Sequence, residues 1–172
     1  MHSPYHLPAL MLTIVLAMST TTMAADAPAV ARWSAEKANQ WYQAQPWPVG
    51  CNYIPSTAIN QIETWQADSF DPQTIDRELG WAEDLGFNTV RIFLHDLVWE
   101  ADPVGFKNRL GEFLDICQKH HIRAIVTFFT NGCYGNTEEA HLGKQPAPVP
   151  GVHNSGWVQT PGAAKVNDPA EW

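Results

Sequence analysis

The chain is short of charge and has no run of one sign. Only 16% of its 172 residues are Asp, Glu, Lys or Arg, and Lys and Arg never cluster. Net charge is −8 with histidine neutral. That balance argues against nucleic acid or an anionic lipid surface as partner, since both need basic patches. No apolar run approaches the roughly 20 residues that span a bilayer. No GxGxxG or Walker sequence follows a strand-like segment, so a nucleotide fold lacks its phosphate cradle. There are only three cysteines, Cys51, Cys117 and Cys133. An odd number leaves at least one outside any intrachain disulfide. Their spacing fits no zinc pattern, and neither metal nor other cofactor is expected. Cys51, in a strand, and Cys117, on the apolar side of a helix, read as small core residues. Cys133 lies in a loop and is the more reactive candidate.

Against these absences stand eight tryptophans, a high number for this length. Tryptophan serves both interfaces and sugar rings, which stack on its apolar face. The first 24 residues have a separate character. Ala9 to Met18 is an apolar core of the length found in secretory signals, and Thr22-Met23-Ala24 places small residues at −3 and −1. The segment before the apolar core carries no Lys or Arg. Residues 1–24 are therefore read as a signal peptide, 25–46 as an Ala/Pro-rich lead-in with a short helix begun by Ser34, and 47–172 as the folded domain. The mature protein is expected to be exported, periplasmic or extracellular, with no membrane contact after cleavage.

The folded part is organised around Leu85 to Trp99. Gly86 ends a helix, and Phe87 to Leu94 reads as a strand whose side chains alternate between two faces. Val90, Ile92 and Leu94 form an aliphatic face fit to be covered by helices. Thr89, Arg91, Phe93 and His95 form the other, which grows polar toward the strand's C-terminal end. Burying an Arg without a partner costs several kcal/mol. Arg91 and His95, with Asp96 and Trp99 in the loop beyond, therefore read as the rim of a site, because parallel α/β folds place sites there.

The same logic extends in both directions. Trp47 to Pro55 reads as a short strand, and Ser56 to Phe70 as a long polar loop. Asp71-Pro72 opens a helix with Asp as N-cap and Pro at the first position. Its apolar stripe is Ile75, Leu79, Ala82 and Leu85. Asp102-Pro103 repeats the opening, with Phe106, Leu110, Phe113, Leu114 and Cys117 as the stripe. Ile122 to Thr130 is a third strand, Asn131 to Asn167 is loop-like, and Asp168-Pro169 opens another helix. Strands alternating with crossover helices make a parallel α/β sheet. Helix-to-strand turns are short and strand-to-helix loops long, which is how (β/α)8 enzymes build sites.

Three segments then resemble a known family: Gly50-Cys51-Asn52-Tyr53, Asp84-Leu85-Gly86-Phe87-Asn88-Thr89-Val90-Arg91-Ile92-Phe93, and Leu97-Val98-Trp99. They are similar to the first two strands of retaining glycoside hydrolases of the large (β/α)8 clan, which includes cellulases, mannanases and β-xylanase-like proteins. Gly151 to Trp157 resembles cellulase-family sequences as well. The resemblance implies the N-terminal three βα units of an incomplete (β/α)8 barrel, so that 47–172 is a partial catalytic domain.

It implies hydrolysis of O-glycosyl bonds in a β-linked polysaccharide or oligosaccharide. Arg91 would help hold the catalytic nucleophile. The clan's two catalytic glutamates end strands four and seven, one of them preceded by Asn, and no Asn-Glu pair occurs in the chain. No catalytic residue is therefore assigned within it, and the pair is expected beyond residue 172. Tyr53, His95, Asp96, Trp99, His153 and Trp157 are the candidates for binding the carbohydrate, with Tyr134 a further aromatic on the loop side. Asp96 could bind a sugar hydroxyl or pair with Arg91. Trp33 and Trp81 are read as packing, Glu100 as solvated, and His120-His121 as a helix end on the opposite, stability side. The alternative is a non-catalytic carbohydrate-binding or scaffold protein on the same fold.

Exported material is expected to begin at Ala25, as read by mass spectrometry of the mature N-terminus. A mature chain retaining Met1 would exclude the signal.

Overall fold

The computed structural model describes residues 32–130, 140–152, 155–168 and 170. Contacts divide the chain into Met1–Gln45 and Pro46–Trp172. In the first unit, α1 (Ala35–Gln43) starts where Ser34 takes the Lys37 amide at 3.2 Å, as the N-cap reading requires. Trp33 meets Trp41 edge to face with centroids 6.2 Å apart, and the Lys37 ammonium lies 4.6 Å from the Trp33 ring centre. Both tryptophans stay largely exposed, so Trp33 is only in part the packing residue expected.

The second unit runs β1 (Gly50–Asn52), α2 (Gln61–Trp65), α3 (Pro72–Asp84), β2 (Thr89–Phe93), α4 (Asp96–Ala101), α5 (Pro103–Lys119), β3 (Arg123–Thr127) and α6 (Ala163–Val166). The three strands pair in the order β1-β2-β3, all parallel. Asn52, Arg91 and Ile125 align in one row, as do Cys51, Val90 and Ala124. Asn88 starts this register. Its amide oxygen accepts from Val49 N, its amide nitrogen donates to Trp47 O, and its carbonyl accepts from Arg123 N. One side chain and its backbone thus join the lead-ins of all three strands.

Both crossover helices pack on one face of the sheet. Val90 (1% exposed) and Ile92 (2%) form that face with Leu94, against Ile75 and Leu79 of α3 and Phe113 and Cys117 of α5. Arg91 and Asn52 are exposed on the other face, with Ile125 among its exposed apolar residues. The alternation read from the sequence is therefore the one in the fold. Trp65 is fully buried beneath Phe70, Phe106 and Phe113, and its indole N–H donates to Phe93 O at 2.7 Å.

The caps follow the sequence closely. Asp71 takes the Thr74 amide at 3.0 Å and Asp102 takes the Gly105 amide at 2.9 Å, each with Pro at the helix start. Asp102 also meets Arg109 at 3.1 Å, and Arg109 donates to Trp65 O. Gly86 turns the chain after α3 at φ +85, a conformation side chains resist. After α5 the equivalent turn falls on His121 at φ 56.

Here α5 is fastened to α3. Lys119 and His120 Nε2 meet Asp76, while His120 Nδ1 and His121 Nδ1 meet opposite oxygens of Glu83. Hydrogen bonds from Lys119 and His120 lower the Asp76 carboxyl, and those from His121 and His120 lower Glu83. The histidine pair does more than suit the helix dipole.

Several expectations need correction. Ser56 to Phe70 is not all loop: Asn60 accepts from Glu63 N and nucleates α2. The residues after His95 form α4 rather than a loop. Asn131 to Asn167 contains α6. Cys51 is exposed because β1 is an edge strand, whereas Cys117 is buried and its thiol is pushed up to about 12 by burial. Trp81 is 57% exposed, with the Arg77 guanidinium 5.4 Å from its ring centre, so it is not a core packing residue. The signal segment, Cys133, Tyr134, His153 and Pro169 lie outside the described residues.

Ile92→Ala is expected to cost about 2–5 kcal/mol by opening a cavity at the sheet–helix interface. Denaturant unfolding checks it. A loss well under 1 kcal/mol would show that Ile92 does not face a packed layer.

Candidate functional site

The strand ends carry two constellations. The first stands on the uncovered sheet face. Arg91 Nε donates to Thr127 Oγ1 at 2.9 Å, and the guanidinium carbon lies 4.6 Å from the Phe93 ring centre. Strand parity explains the grouping. Arg91 and Phe93 share a face of β2, Thr127 is the register partner of Phe93, and Ile125 that of Arg91. Pro48, Asn52, Thr89, Arg91 and Ile125 line an open hollow of about 380 Å³ on this face. Arg91 does not pair with Asp96.

The second constellation is where β2 runs into α4. His95 is 1% exposed and acts as the helix cap: Leu97 N donates to its Nδ1 at 3.2 Å. Its Nε2 lies 3.1 Å from Gln159 O, a group that can only accept, so the ring proton sits on Nε2. Asp96, beside it, accepts from the Thr160 hydroxyl at 2.8 Å and from Lys165 Nζ at 2.7 Å. Burial alone would raise the Asp96 carboxyl, yet it is held well below the usual carboxylate range. The His95 ring is only 3.1 Å away, but its Nδ1 is already an acceptor for Leu97. The donors that hold Asp96 are therefore Lys165 and Thr160. Lys165 also reaches Glu100, so Glu100 is paired rather than merely solvated.

These contacts tie the returning chain to the strand ends. Thr130 and Thr160 exchange two backbone hydrogen bonds, at 2.8 and 3.0 Å, in an antiparallel bridge. Trp157 is buried and meets Phe93 edge to face, with centroids 4.8 Å apart. Four buried amides complete the tie. Asn60 donates to Gln145 and to Gly156 O, Gln61 to Val158 O, and Gln66 pairs through both amide atoms with the backbone of Gly143. Buried polar groups need partners, so these residues specify where the long loop lies. Between 56–63 and 144–155 a cleft of about 460 Å³ opens, lined among others by Ser56, Glu63, Lys144 and Pro148.

The sequence-selected residues thus separate. His95, Asp96 and Trp157 come together at the end of β2, with Arg91 on the adjoining sheet face. Tyr53 goes elsewhere. Its ring stacks on Phe113 on the helix side and its hydroxyl donates to Glu78 at 3.0 Å. Burial and the Glu78 carboxylate push its phenol up. Trp99 packs on Phe106 with the Lys107 ammonium 5.1 Å from its ring centre, and it is 40% exposed. Reasoning from sequence missed Thr127, Thr160 and Lys165. Extending the strand alternation to β3 would have found Thr127. Nothing local marks the other two. Among the described residues no three His, Cys, Asp or Glu side chains are arranged to hold a metal ion.

No family model matches the chain, and no curated protein does. Among solved structures, an exo-beta-1,4-mannosidase, Op5Man5 from Opitutaceae bacterium strain TAV5, is similar at 33% identity with a TM-score of 0.44. The match covers 52% of this chain and 16% of that protein, so the chain corresponds to a small part of its length.

Because the Asp96 carboxyl is lowered in the fold, its contribution to stability is full above the unfolded value of ~3.9 and is lost as pH falls through the lowered folded value. Protection factors of the backbone amides over 155–166, which remove the pH dependence of intrinsic exchange, are therefore expected to fall on acidification. Asp96→Asn should lower those protection factors already at neutral pH and flatten the response to acid. Protection factors identical in both proteins at every pH would remove Asp96 from this role.

Proposed function

We propose that this chain carries the first three βα units of a secreted (β/α)8 glycoside hydrolase that cleaves β-linked polysaccharide or oligosaccharide. The observation that carries the reading is the one-sided sheet. All three strands are parallel and in sequence order, and both crossover helices lie on one face. A doubly wound fold covers both faces once its winding reverses, and no reversal occurs among these three strands. Winding in one direction is how a barrel keeps an interior, and Arg91 stands on that interior face, as the resemblance of its strand implies. A retaining hydrolase needs two carboxylates about 5 Å apart. Among the described residues the acid at the end of β2, Asp96, is engaged by Lys165 and Thr160. The catalytic pair is accordingly assigned to strands beyond residue 172.

The engagement of Asp96 is also what favours the second reading, a non-catalytic carbohydrate-binding or scaffold protein. Its polar contacts hold a loop in place and leave it less able to take part in chemistry.

Two measurements test these readings, and the second separates them. The 172-residue chain is expected to show no turnover of aryl β-glycosides or of soluble cellulose, mannan and xylan. The gene downstream of codon 172 is expected to encode an Asn-Glu pair soon after the next strand. Turnover that disappears in Asp96→Asn or Glu100→Gln would overturn the assignment of the catalytic pair. A stop codon at that point, with retained binding to one of these polysaccharides, would favour the binding protein.

A further inference from the structure

We propose that His120 is a proton-dependent latch between α3 and α5, closed only while its ring is an imidazolium. The residue caps the C-terminal end of α5, and its side chain is 14% exposed. Its Nε2 lies 2.7 Å from Asp76 Oδ1, and its Nδ1 lies 3.1 Å from Glu83 Oε2. Both acids are ionised, since hydrogen bonds from Lys119 and His120 lower Asp76 and those from His121 and His120 lower Glu83. An ionised carboxylate only accepts, and a neutral imidazole donates through one nitrogen only. The two contacts are therefore both hydrogen bonds only when both ring nitrogens carry protons.

The sequence of α3 provides the seat. Asp76, Gly80 and Glu83 stand at i, i+4 and i+7, on one face of the helix. A Cβ at Gly80 would come within 3.3 Å of the His120 ring, so the glycine leaves room for the imidazole between the two acids. The other charged groups at the latch come from the same end of α5. Lys119 Nζ lies 2.7 Å from both Asp76 oxygens, and His121 Nδ1 lies 2.7 Å from Glu83 Oε1. Those two side chains are largely exposed and screened by water, whereas the His120 ring is mostly shielded. When His120 gives up a proton, one carboxylate keeps a hydrogen bond and the other faces a nitrogen lone pair. The contact then lost is next to His121, which at φ 56 turns the chain toward β3.

The closed latch needs this proton and the unfolded chain does not. Its contribution is therefore present below the ordinary histidine range, about 6.5 in an unfolded chain, and is lost as pH rises beyond it. Asp76 and Glu83 act in the opposite sense, because their lowered carboxyls lose their contribution as pH falls through the folded values. Urea unfolding of the 172-residue chain and of His120→Gln, at pH 6 and at pH 9, tests the latch. Glutamine does not titrate in this interval, and groups present in both proteins cancel in the ratio of their unfolding constants. That ratio, variant over unaltered protein, is expected to be about fivefold larger at pH 6 than at pH 9, the upper end for a charged pair reached by solvent.

In a background carrying Asp76→Asn and Glu83→Gln, each amide keeps an acceptor oxygen in place but not the charge. There the effect of His120→Gln should be the same at both pH values. A ratio that does not change with pH in the unaltered background would mean that His120 acts by shape or by a neutral hydrogen bond, and would overturn the proposal. A pH effect that survives without the two carboxylates would overturn it as well. If any of these variants fails to fold, nitrogen-15 spectra of the imidazole in the unaltered protein decide. Protons on both nitrogens of His120 at pH 6, with α3 and α5 amides near the latch less protected once one is lost, support the latch. A neutral tautomer at pH 6, or amide protection indifferent to that proton, excludes it.

Discussion

Backbone pairing of β2 with a parallel neighbour on each side is the constraint on which the molecule depends. Asn88 begins both ladders, holding Val49 and Trp47 through its side chain and Arg123 through its carbonyl. With register set there, a slip of one residue would turn Val90 and Ile92 out and Arg91 in. The aliphatic face gains about 25 cal/mol per Å² buried against α3 and α5. An unpaired Arg91 on that side would cost several kcal/mol. Pairing and solvation therefore select the same arrangement.

A second layer of order is polar. The described residues after β3 form only the Thr130–Thr160 bridge and short helical pieces such as α6, yet they are pinned to the loop after β1 by the amides of Asn60, Gln61, Gln66 and Gln145, and to the end of β2 by His95 and Asp96. Most of these groups are buried, so each lost partner exposes a desolvation cost of about 1–3 kcal/mol. The loops at the strand ends are consequently held by specific hydrogen bonds rather than by apolar packing alone. Such loops can present side chains with defined geometry, which is what a site at this end requires.

Much of this was legible in the residues. The Asp-Pro openings of α3 and α5, the Gly86 turn, most of the apolar stripes and the two faces of β2 are local signals, each set by a spacing or a cap; Leu85 and Leu114, counted in those stripes, lie exposed where their helices turn away from the sheet-facing core. Helix α2 was not legible, because Asn60 looks like any loop amide until Glu63 N is bonded to it. Helix α4 was missed for a similar reason, since histidine is an unusual cap and His95 looked like a rim residue. Tyr53 was assigned to the mouth from its aromatic character, although strand alternation from Cys51 already sent it to the helix side. For Arg91 and Asp96, nearness in sequence allowed a pair, beside a sugar hydroxyl as the other partner for Asp96; the fold gives Thr127 to one and Lys165 with Thr160 to the other.

By itself the sequence determined the order of the three strands and of the crossover helices α3 and α5, the covered face of the sheet and the side on which Arg91 stands. Those features follow from periods of two and 3.6 residues and from caps that act within one turn. Only the tertiary structure decided which side chains meet. The partners of His95, Asp96 and Arg91 lie 64, 69 and 36 residues away, beyond the reach of any local pattern. The pairings of His95 and Asp96 form because a buried polar group must find a partner wherever the folded chain supplies one, and that of Arg91 because the strand register sets Thr127 beside it.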